Sequence, residues 1–334
     1  MKRKTLVLVS VILMVLIPVV TLSAAGARQG ATQKTVAGVV FQEDQFMRLH
    51  SMGFADAAAE AGFRFLGANT NNDQAREAEL INTYVEQKIA GIAITPISET
   101  TSMATLKMAA DAGLKIAVTN TILRDAPFVV GGYTSDNYNL GEVTGTAAAA
   151  FIRDKLGGKA KIAILEFRSQ LPEQSKARVD GFCDAVRKVN PNVEIIPTQD
   201  AWLQDAAVQK AGDILTANPD VNIIYGANDG GTIGSVMAVK NAGLAGKCFV
   251  FGIDTGDQQI AMLRDSDNIL QAVTGQDAYG IAYKAMQVLI DAINGKDTSA
   301  TQGKAIIVPG VLVSRDNPQA INAFEKDLQA KLSR

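Results

Sequence analysis

The chain is poor in the residues that carry most covalent and metal chemistry. Its 334 residues hold one histidine, His50, one tryptophan, Trp202, and two cysteines, Cys183 and Cys248. Any histidine-dependent triad would rest on His50 alone. No HExxH, CxxC or GxxxxGK[ST] occurs, so the common zinc, redox and phosphate-loop signatures are missing. Asn228-Asp229-Gly230-Gly231 is the nearest phosphate-type element, and it lacks the GxGxxG spacing. Carboxylates are plentiful, but no two are singled out by spacing as a glycosidase pair. A strong charge of either sign is also missing, since 32 basic residues face 34 acidic ones for a net charge of −2. Nucleic-acid binding needs a basic footprint to neutralise phosphates, and none is present beyond the first four residues. The composition therefore points away from an enzyme, a cofactor, a metal or a nucleic-acid partner.

What is present begins at the amino terminus. Met1-Lys2-Arg3-Lys4 precedes an apolar stretch, residues 6–20, broken only by Ser10 and Pro18. Ala25-Gly26-Ala27 follows, with side chains small enough for a signal peptidase. A cationic start, a short apolar segment and a small-residue exit are the anatomy of a secretory signal. The stretch is shorter than the ~20 residues of a comfortable membrane span, and no stop-transfer cluster follows. Residues 1–27 are accordingly expected to be a cleaved signal, leaving a soluble chain that starts near Arg28. No cysteine stands at the exit to take a lipid, which favours a soluble periplasmic protein of a two-membrane bacterium. Whether Cys183 and Cys248 pair is not decided by their spacing. Their contexts, a helix after Gly181-Phe182 and the start of a strand, favour two buried thiols.

From residue 35 the chain alternates short β-rich runs with longer helical patterns. Strands are expected over 35–41, 63–68, 91–96 and 114–119, with helices over 50–61, 73–88 and 101–112. A second series follows the Ser135-Asp136-Asn137 turn, with strands over 161–166, 193–197, 221–225 and 249–253. Its helices are expected over 178–189, 206–217 and 232–242, then a strand over 306–312 and a surface helix over 317–332. Nearly continuous apolar strands in βαβα order predict parallel sheets covered on both faces. Two similar α/β halves explain the repeat better than a single sheet. With no low-complexity linker, short crossovers must join them.

In open α/β sheets, ligands bind beyond the carboxyl ends of the strands. Asp44, Asn120, Asn228-Asp229, Asp254 and Gln276 all fall at such ends. Each alone could be a helix cap or turn residue; six in one structural position suggest a cleft shared by two sheets. Trp202, in the loop Asp200-Ala201-Trp202-Leu203-Gln204-Asp205, and Phe46, just past the first strand, are the loop aromatics. Carboxylates and amides that bond vicinal hydroxyls, with flat rings over C–H faces, are the two devices of sugar recognition.

These pieces, in order, resemble the ribose/galactose type of periplasmic sugar-binding proteins, the type I solute-binding proteins of ABC transporters. The resemblance starts at Asp44-Gln45-Phe46-Met47 with Gly53 and Ala57-Ala58, and continues through Ile94-Thr95-Pro96. Thr134-Ser135-Asp136-Asn137 with Gly141 is similar to the family's crossover, and Arg178-Val179-Asp180-Gly181-Phe182 to a helix start. Ala227-Asn228-Asp229, Phe251-Gly252-Ile253-Asp254 and Thr274-Gly275-Gln276 complete the series. The resemblance implies an α/β fold of two doubly wound parallel-sheet lobes joined by a three-stranded hinge near Ser135-Asp136-Asn137, Gln276 and residues 306–309. Residues 34–136 with 277–306 would form the first lobe, and 137–276 with 307–334 the second. It further implies ligand contacts from Asp44, Phe46, Met47 and Asn120 on one side and Arg178, Trp202, Asn228, Asp254 and Gln276 on the other.

Several positions depart from the family's pattern. Asp44 stands where Asn is usual, Met47 where a second aromatic is, Asn120 for an Asp and Thr121 for an Arg. Losing that Arg removes a planar fork for two hydroxyls, which Arg178 still offers; Met47 exchanges a flat face for a flexible one. A monosaccharide, polyol, cyclitol or furanose would each suit what remains. The implied partners are that small molecule and a membrane permease, with the binding protein itself a monomer. An exported sensor feeding a chemotaxis or signalling receptor is the alternative. A transcriptional regulator of this fold would need a helix-turn-helix at its start, where this chain has a signal, and an α/β enzyme would turn its sugar over.

Overall fold

The computed structural model describes residues 33–333; the expected signal lies outside them. The chain opens with β1 (Thr35–Val40), α1 (Gln45–Glu60), β2 (Arg64–Asn69), α2 (Gln74–Glu86), β3 (Gly91–Ile94), α3 (Thr101–Asp111), β4 (Lys115–Thr119) and β5 (Val129–Thr134). It continues with α4 (Asn137–Lys155), β6 (Lys161–Glu166), α5 (Pro172–Val189), β7 (Glu194–Ile195), β8 (Gln199–Asp200), α6 (Gln204–Ala217), β9 (Ile223–Gly226), α7 (Asp229–Asn241), β10 (Phe249–Ile253), α8 (Asp257–Arg264) and β11 (Leu270–Gly275). It closes with α9 (Ala278–Ile293), β12 (Ala305–Ile307), β13 (Val311–Ser314) and α10 (Pro318–Leu332).

These strands form two sheets, one for each lobe of the expected α/β fold. The first runs β12-β5-β4-β3-β1-β2 and the second β13-β11-β10-β9-β6-β7, with β8 pairing β6. All pairings are parallel except β11–β13. The apolar strands are continuous because both faces are covered. In the first sheet Val36, Val40, Ala93 and Ala117 pack with Phe54 and Ala58 of α1 and Ala285, Met286 and Leu289 of α9. The alternate residues, Ala37, Val39, Ile92, Ile94 and Ile116, pack with Ile81 of α2 and Leu106 of α3. Burial of a full Leu, Ile or Phe side chain stabilises by roughly 1.5–3 kcal/mol, so each sheet is held from two sides.

Three crossings join the sheets: Ser135–Asp136 between β5 and α4, Gln276–Asp277 between β11 and α9, and Val308–Gly310 between β12 and β13. The one strand expected over 306–312 is therefore two, because Pro309 has no N–H to continue a ladder and each half joins a different sheet. The strand expected over 193–197 shrinks to β7, and a further short strand, β8, which was not expected, follows Pro197. Helix α1 begins five residues earlier than position 50, at Gln45, because Asp44 caps it by accepting from the Met47 N–H at 2.7 Å. Helix α5 begins at Pro172, so Arg178 stands in its second turn and not at its start. The strands β5 and β11 and the helices α4, α8 and α9 were not anticipated. In β5 and α4, glycines and alanines blur the periodic pattern. Both cysteines are free and buried.

Candidate functional site

The carboxyl ends of the two sheets face each other across a narrow cavity of ≈ 40 Å³. Eight of the nine candidate residues line it: Asp44, Phe46, Met47, Asn120, Arg178, Asn228, Asp254 and Gln276. The ninth, Trp202, lies on an adjoining pocket of ≈ 380 Å³ whose wall also includes Asp44, Asn228 and Asp229. Its indole N–H donates to Ser169 Oγ at 3.2 Å, and its carbonyl accepts from Asn228 Nδ2 at 3.0 Å.

Local structure explains how each side chain is presented. Asn120 ends β4 and Asp254 ends β10, both in left-handed backbone, with φ of 59° and 72°. Among non-glycine residues Asn and Asp tolerate that region best. The turn swings each side chain off its sheet toward the cavity. Asp254 accepts from Gln276 Nε2 at 2.6 Å and from the Asp229 N–H at 3.2 Å. Gln276 thereby ties the β11–α9 crossing to the end of β10. Asn228 caps α7, accepting from the Gly231 N–H at 3.1 Å. Its amide spends one donor on the Trp202 carbonyl and one acceptor site on the cap, leaving a second Nδ2–H.

Arg178 is the one guanidinium on the cavity wall, and it is 4% exposed. Its Nε–H donates to Asn137 Oδ1 at 2.8 Å and Nη1 to the Ala227 carbonyl at 2.9 Å. Its charge sits 5.0 Å from the centre of the Phe167 ring, within cation–π reach. Burial lowers its pKa against the opposing influence of Asp254 and Tyr225. Beneath it, Tyr225 stacks on Phe182 at 4.0 Å between centroids. Phe41, Phe46, Met47, Phe167 and Leu171 form the apolar part of the wall.

Side-chain amides bridge the sheets directly. Gln170 Nε2 donates to Gln42 Oε1 at 2.7 Å and to Asn72 Oδ1 at 3.2 Å. Gln174 Nε2 donates to the Asn120 carbonyl at 3.2 Å. Gln45 and Asp257 exchange two more bonds, both 2.9 Å. Among the described residues no group of three or more His, Cys, Asp or Glu is placed to hold a metal ion. His50 is buried on α1, its pKa lowered to about 4 by desolvation, with Nδ1 3.1 Å from the Phe46 carbonyl. It supports Phe46, whose ring lies 4.7 Å away.

Residues 38–297 match the periplasmic binding protein domain. The chain belongs to that family. An ABC-transporter periplasmic-binding protein of Escherichia coli K12 is 27% identical over 257 residues, 75% of this chain and 77% of that one. The D-allose-binding periplasmic protein of the same organism is 26% identical over 72% of this chain and 78% of its own length. Among solved structures, a Bacillus halodurans ABC-transporter solute-binding protein with bound myo-inositol matches with a TM-score of 0.78 at 18% identity, covering 88% and 98% of the two chains. An Agrobacterium vitis solute-binding protein bound with α-D-tagatopyranose gives 0.76 at 21% identity, covering 87% and 99%. The family is one of solute-binding proteins rather than enzymes.

In this periplasmic binding protein the cavity also presents groups that the sequence does not single out as contacts. Asp229 carries a buried Oδ1 with no hydrogen-bond partner, and so does the Oε1 of Gln174, a residue 6% exposed. Both line the cavity with Gln42 and Gln170. Asp229 is visible in the sequence as a strand-end residue beside Asn228. Gln170 and Gln174 carried no signal, because nothing in a helix start says that it will face another lobe.

Proposed function

We propose that this protein is the solute-binding component of an ABC-type importer, closing its two lobes on a monosaccharide or related polyol. The observation that carries this is the convergence of polar strand ends from both sheets on one cavity edged by Phe46, Met47 and Phe167. Residues 34–136 with 277–306 would move as one lobe and 137–276 with 307–334 as the other. The cavity of ≈ 40 Å³ is far below the ~300 Å³ of an ordinary ligand pocket. Entry therefore requires the lobes to part about the three crossings and the amide bridges of Gln170 and Gln174 to open. Hinge closure then buries the ligand from both sides, so that affinity depends on both lobes.

In this reading Asp44, Asn120, Arg178, Asn228, Asp254 and Gln276 bond hydroxyls, while Phe46 and Met47 cover apolar faces and Trp202 roofs the mouth. The binding relatives named for D-allose, and the neighbours holding myo-inositol and tagatopyranose, support a sugar or polyol here. The mature chain would start near Arg28 and act as a soluble periplasmic monomer that delivers ligand to a membrane permease. The test is a thermal-shift screen against sugars and polyols, followed by calorimetry. A ligand at 100 times its dissociation constant adds about 2.7 kcal/mol. Asp254→Ala should weaken the hit about tenfold or more, and tryptophan emission should change with the same midpoint. A screen with no hit, or turnover of the hit on incubation, sinks the proposal.

A further inference from the structure

The cavity is unevenly charged. Asp44, Asp229 and Asp254 stand on its wall against the single guanidinium of Arg178. Arg178 spends two of its N–H groups on the neutral oxygens of Asn137 and Ala227, and forms no ion pair with any of the three carboxylates. Asp44 and Asp254 are partly satisfied, by the Met47 N–H and Gln42, and by Gln276 and the Asp229 N–H. Asp229 Oδ1 is not. A second observation, independent of the acids, points the same way. The Oε1 of Gln174, on a side chain more than nine-tenths buried in the same wall, also lacks a donor. Both orphaned atoms are oxygens waiting for hydrogen. An ionised carboxylate and an amide oxygen only accept, so they call for a group rich in donors. A protonated amine offers three donors and no acceptor, and it brings the positive charge that the wall lacks.

We propose that the preferred ligand is an amine-bearing sugar or polyol, its ammonium held by Asp229 with Asp44, Asp254 and the Gln174 amide oxygen around it. This rests on the sugar- or polyol-binding reading above and narrows it.

The electrostatics supply a pH signature. Burial first, then Asp254 and Asp44, raise the Asp229 pKa to about 7, so at mildly acid pH the carboxyl carries a proton. The charges acting on it are Asp254 from the end of β10 and Asp44 from the β1–α1 turn; Arg178 of α5 lines the same cavity and Glu43 the adjoining pocket. An ammonium favours the carboxylate, so capture below pH 7 releases a proton and weakens as pH falls. A neutral polyol gains nothing from that ionisation.

The experiment pairs congeners on the wild-type mature chain: glucosamine with glucose, galactosamine with galactose, and 1-amino-1-deoxysorbitol with sorbitol. Calorimetry at pH 5.5, 7 and 8 is expected to show at least one amine binding tenfold or more tighter than its neutral partner. That preference should grow between pH 5.5 and 7, with proton release at pH 6 read from buffers of different ionisation heat. Asp229→Asn, an isosteric change, is expected to shrink the amine-to-neutral ratio at least fivefold. Thermal melts and circular dichroism would check that the variant folds. If neutral congeners bind and none of their amines binds tighter, the inference falls while the sugar-binding reading stands. If no amine, sugar or polyol binds the wild type at any pH, both fall together.

Discussion

In the first sheet the chain leaves β4 through Asn120, and in the second it leaves β10, the strand in the corresponding place, through Asp254. Both residues are left-handed, and both donate their N–H to the next strand, to Tyr133 at 3.0 Å and to Thr274 at 2.9 Å. The correspondence extends to the helices. Each sheet is covered by the helix that follows its first strand and by one arriving from a crossing: α1 with α9, and α4 with α5. The differences lie in the last strand of each sheet, β12, parallel, in the first and β13, antiparallel, in the second, and in the chemistry delivered. The side of the first sheet supplies Phe46, Met47, an uncharged Asn120 and a single acid, Asp44. The side of the second supplies Arg178, two acids, Asp229 and Asp254, and one ring, Phe167. One architecture can thus hold a mainly apolar jaw and a mainly ionic jaw, because strand order sets where a side chain arrives and not what it is.

That contrast can be broken most directly at the two jaws. Arg178→Met removes a buried, charged donor, whereas Met47→Leu keeps apolar contact. With the best ligand of the screen, the first is expected to weaken binding about ten- to a hundredfold and the second only about threefold or less. Equal losses in calorimetry would mean that the jaws do not divide their labour.

The helix pairs provide the next test. A Cβ at Gly141 of α4 would sit 2.0 Å from the Arg178 carbonyl, and one at Gly53 of α1 would sit 2.4 Å from the Tyr279 carbonyl. Both contacts are with backbone and cannot yield cheaply, so Gly141→Ala and Gly53→Ala should each cost about 1–3 kcal/mol in denaturant unfolding. Only the first moves the backbone of Arg178. Affinity is therefore expected to fall in Gly141→Ala and to hold in Gly53→Ala, once each is measured on folded protein.

A smaller effect concerns the acid of the second jaw. The folded-state pKa of Asp229 is raised to about 7 from 3.8. Below both values the carboxyl is protonated whether folded or not, and it contributes nothing to pH dependence. Between them folding takes up a proton, so stability falls as pH rises. Asp229→Asn escapes this. It should be about 1 kcal/mol more stable than wild type at pH 8, after discounting for partial exposure, and little different at pH 4. Chemical denaturation at the two pH values checks the sign.

The smallest expected signal is from the thiols. Burial pushes Cys183 up to about 11 and Cys248 up to about 12. Since the thiolate is the reactive form, a thiol reagent at pH 8 should leave both untouched in the native protein and modify both in denaturant. Prompt reaction of either would show that elements around the second sheet open locally.

Much of the fold was legible because its strands are apolar on both faces and are punctuated by Gly, Asn, Asp and Pro. The strand ends Asn120 and Asp254 could be named from that pattern alone, whereas Gln276 follows β11, a strand the pattern did not supply. Where the pattern thinned, elements were lost. Helix α4 begins at a crossing, and its run of alanine and glycine from Gly141 to Ala150 shows little period, whereas α9 keeps a clear helical one. Arg178 was placed at a helix start because the Leu171-Pro172 beginning of α5 lacks a side-chain cap.

The sequence by itself determined the class of chemistry: almost no histidine or cysteine, no metal or phosphate signature, and polar residues at successive strand ends. Those are local properties, carried by residue type and spacing. Only the tertiary structure decided that Gln276, at a crossing the family resemblance implied, spends its amide on Asp254. It also decided that Asn228 bonds a helix cap and the Trp202 carbonyl, while the Asp229 Oδ1 beside it has no partner. The same holds for Gln174, which reaches the Asn120 carbonyl across 54 positions in the chain. The physical reason is common to all three. Whether a polar group is satisfied depends on which backbone and side-chain atoms packing brings within about 3 Å, and spacing along the chain carries no record of that.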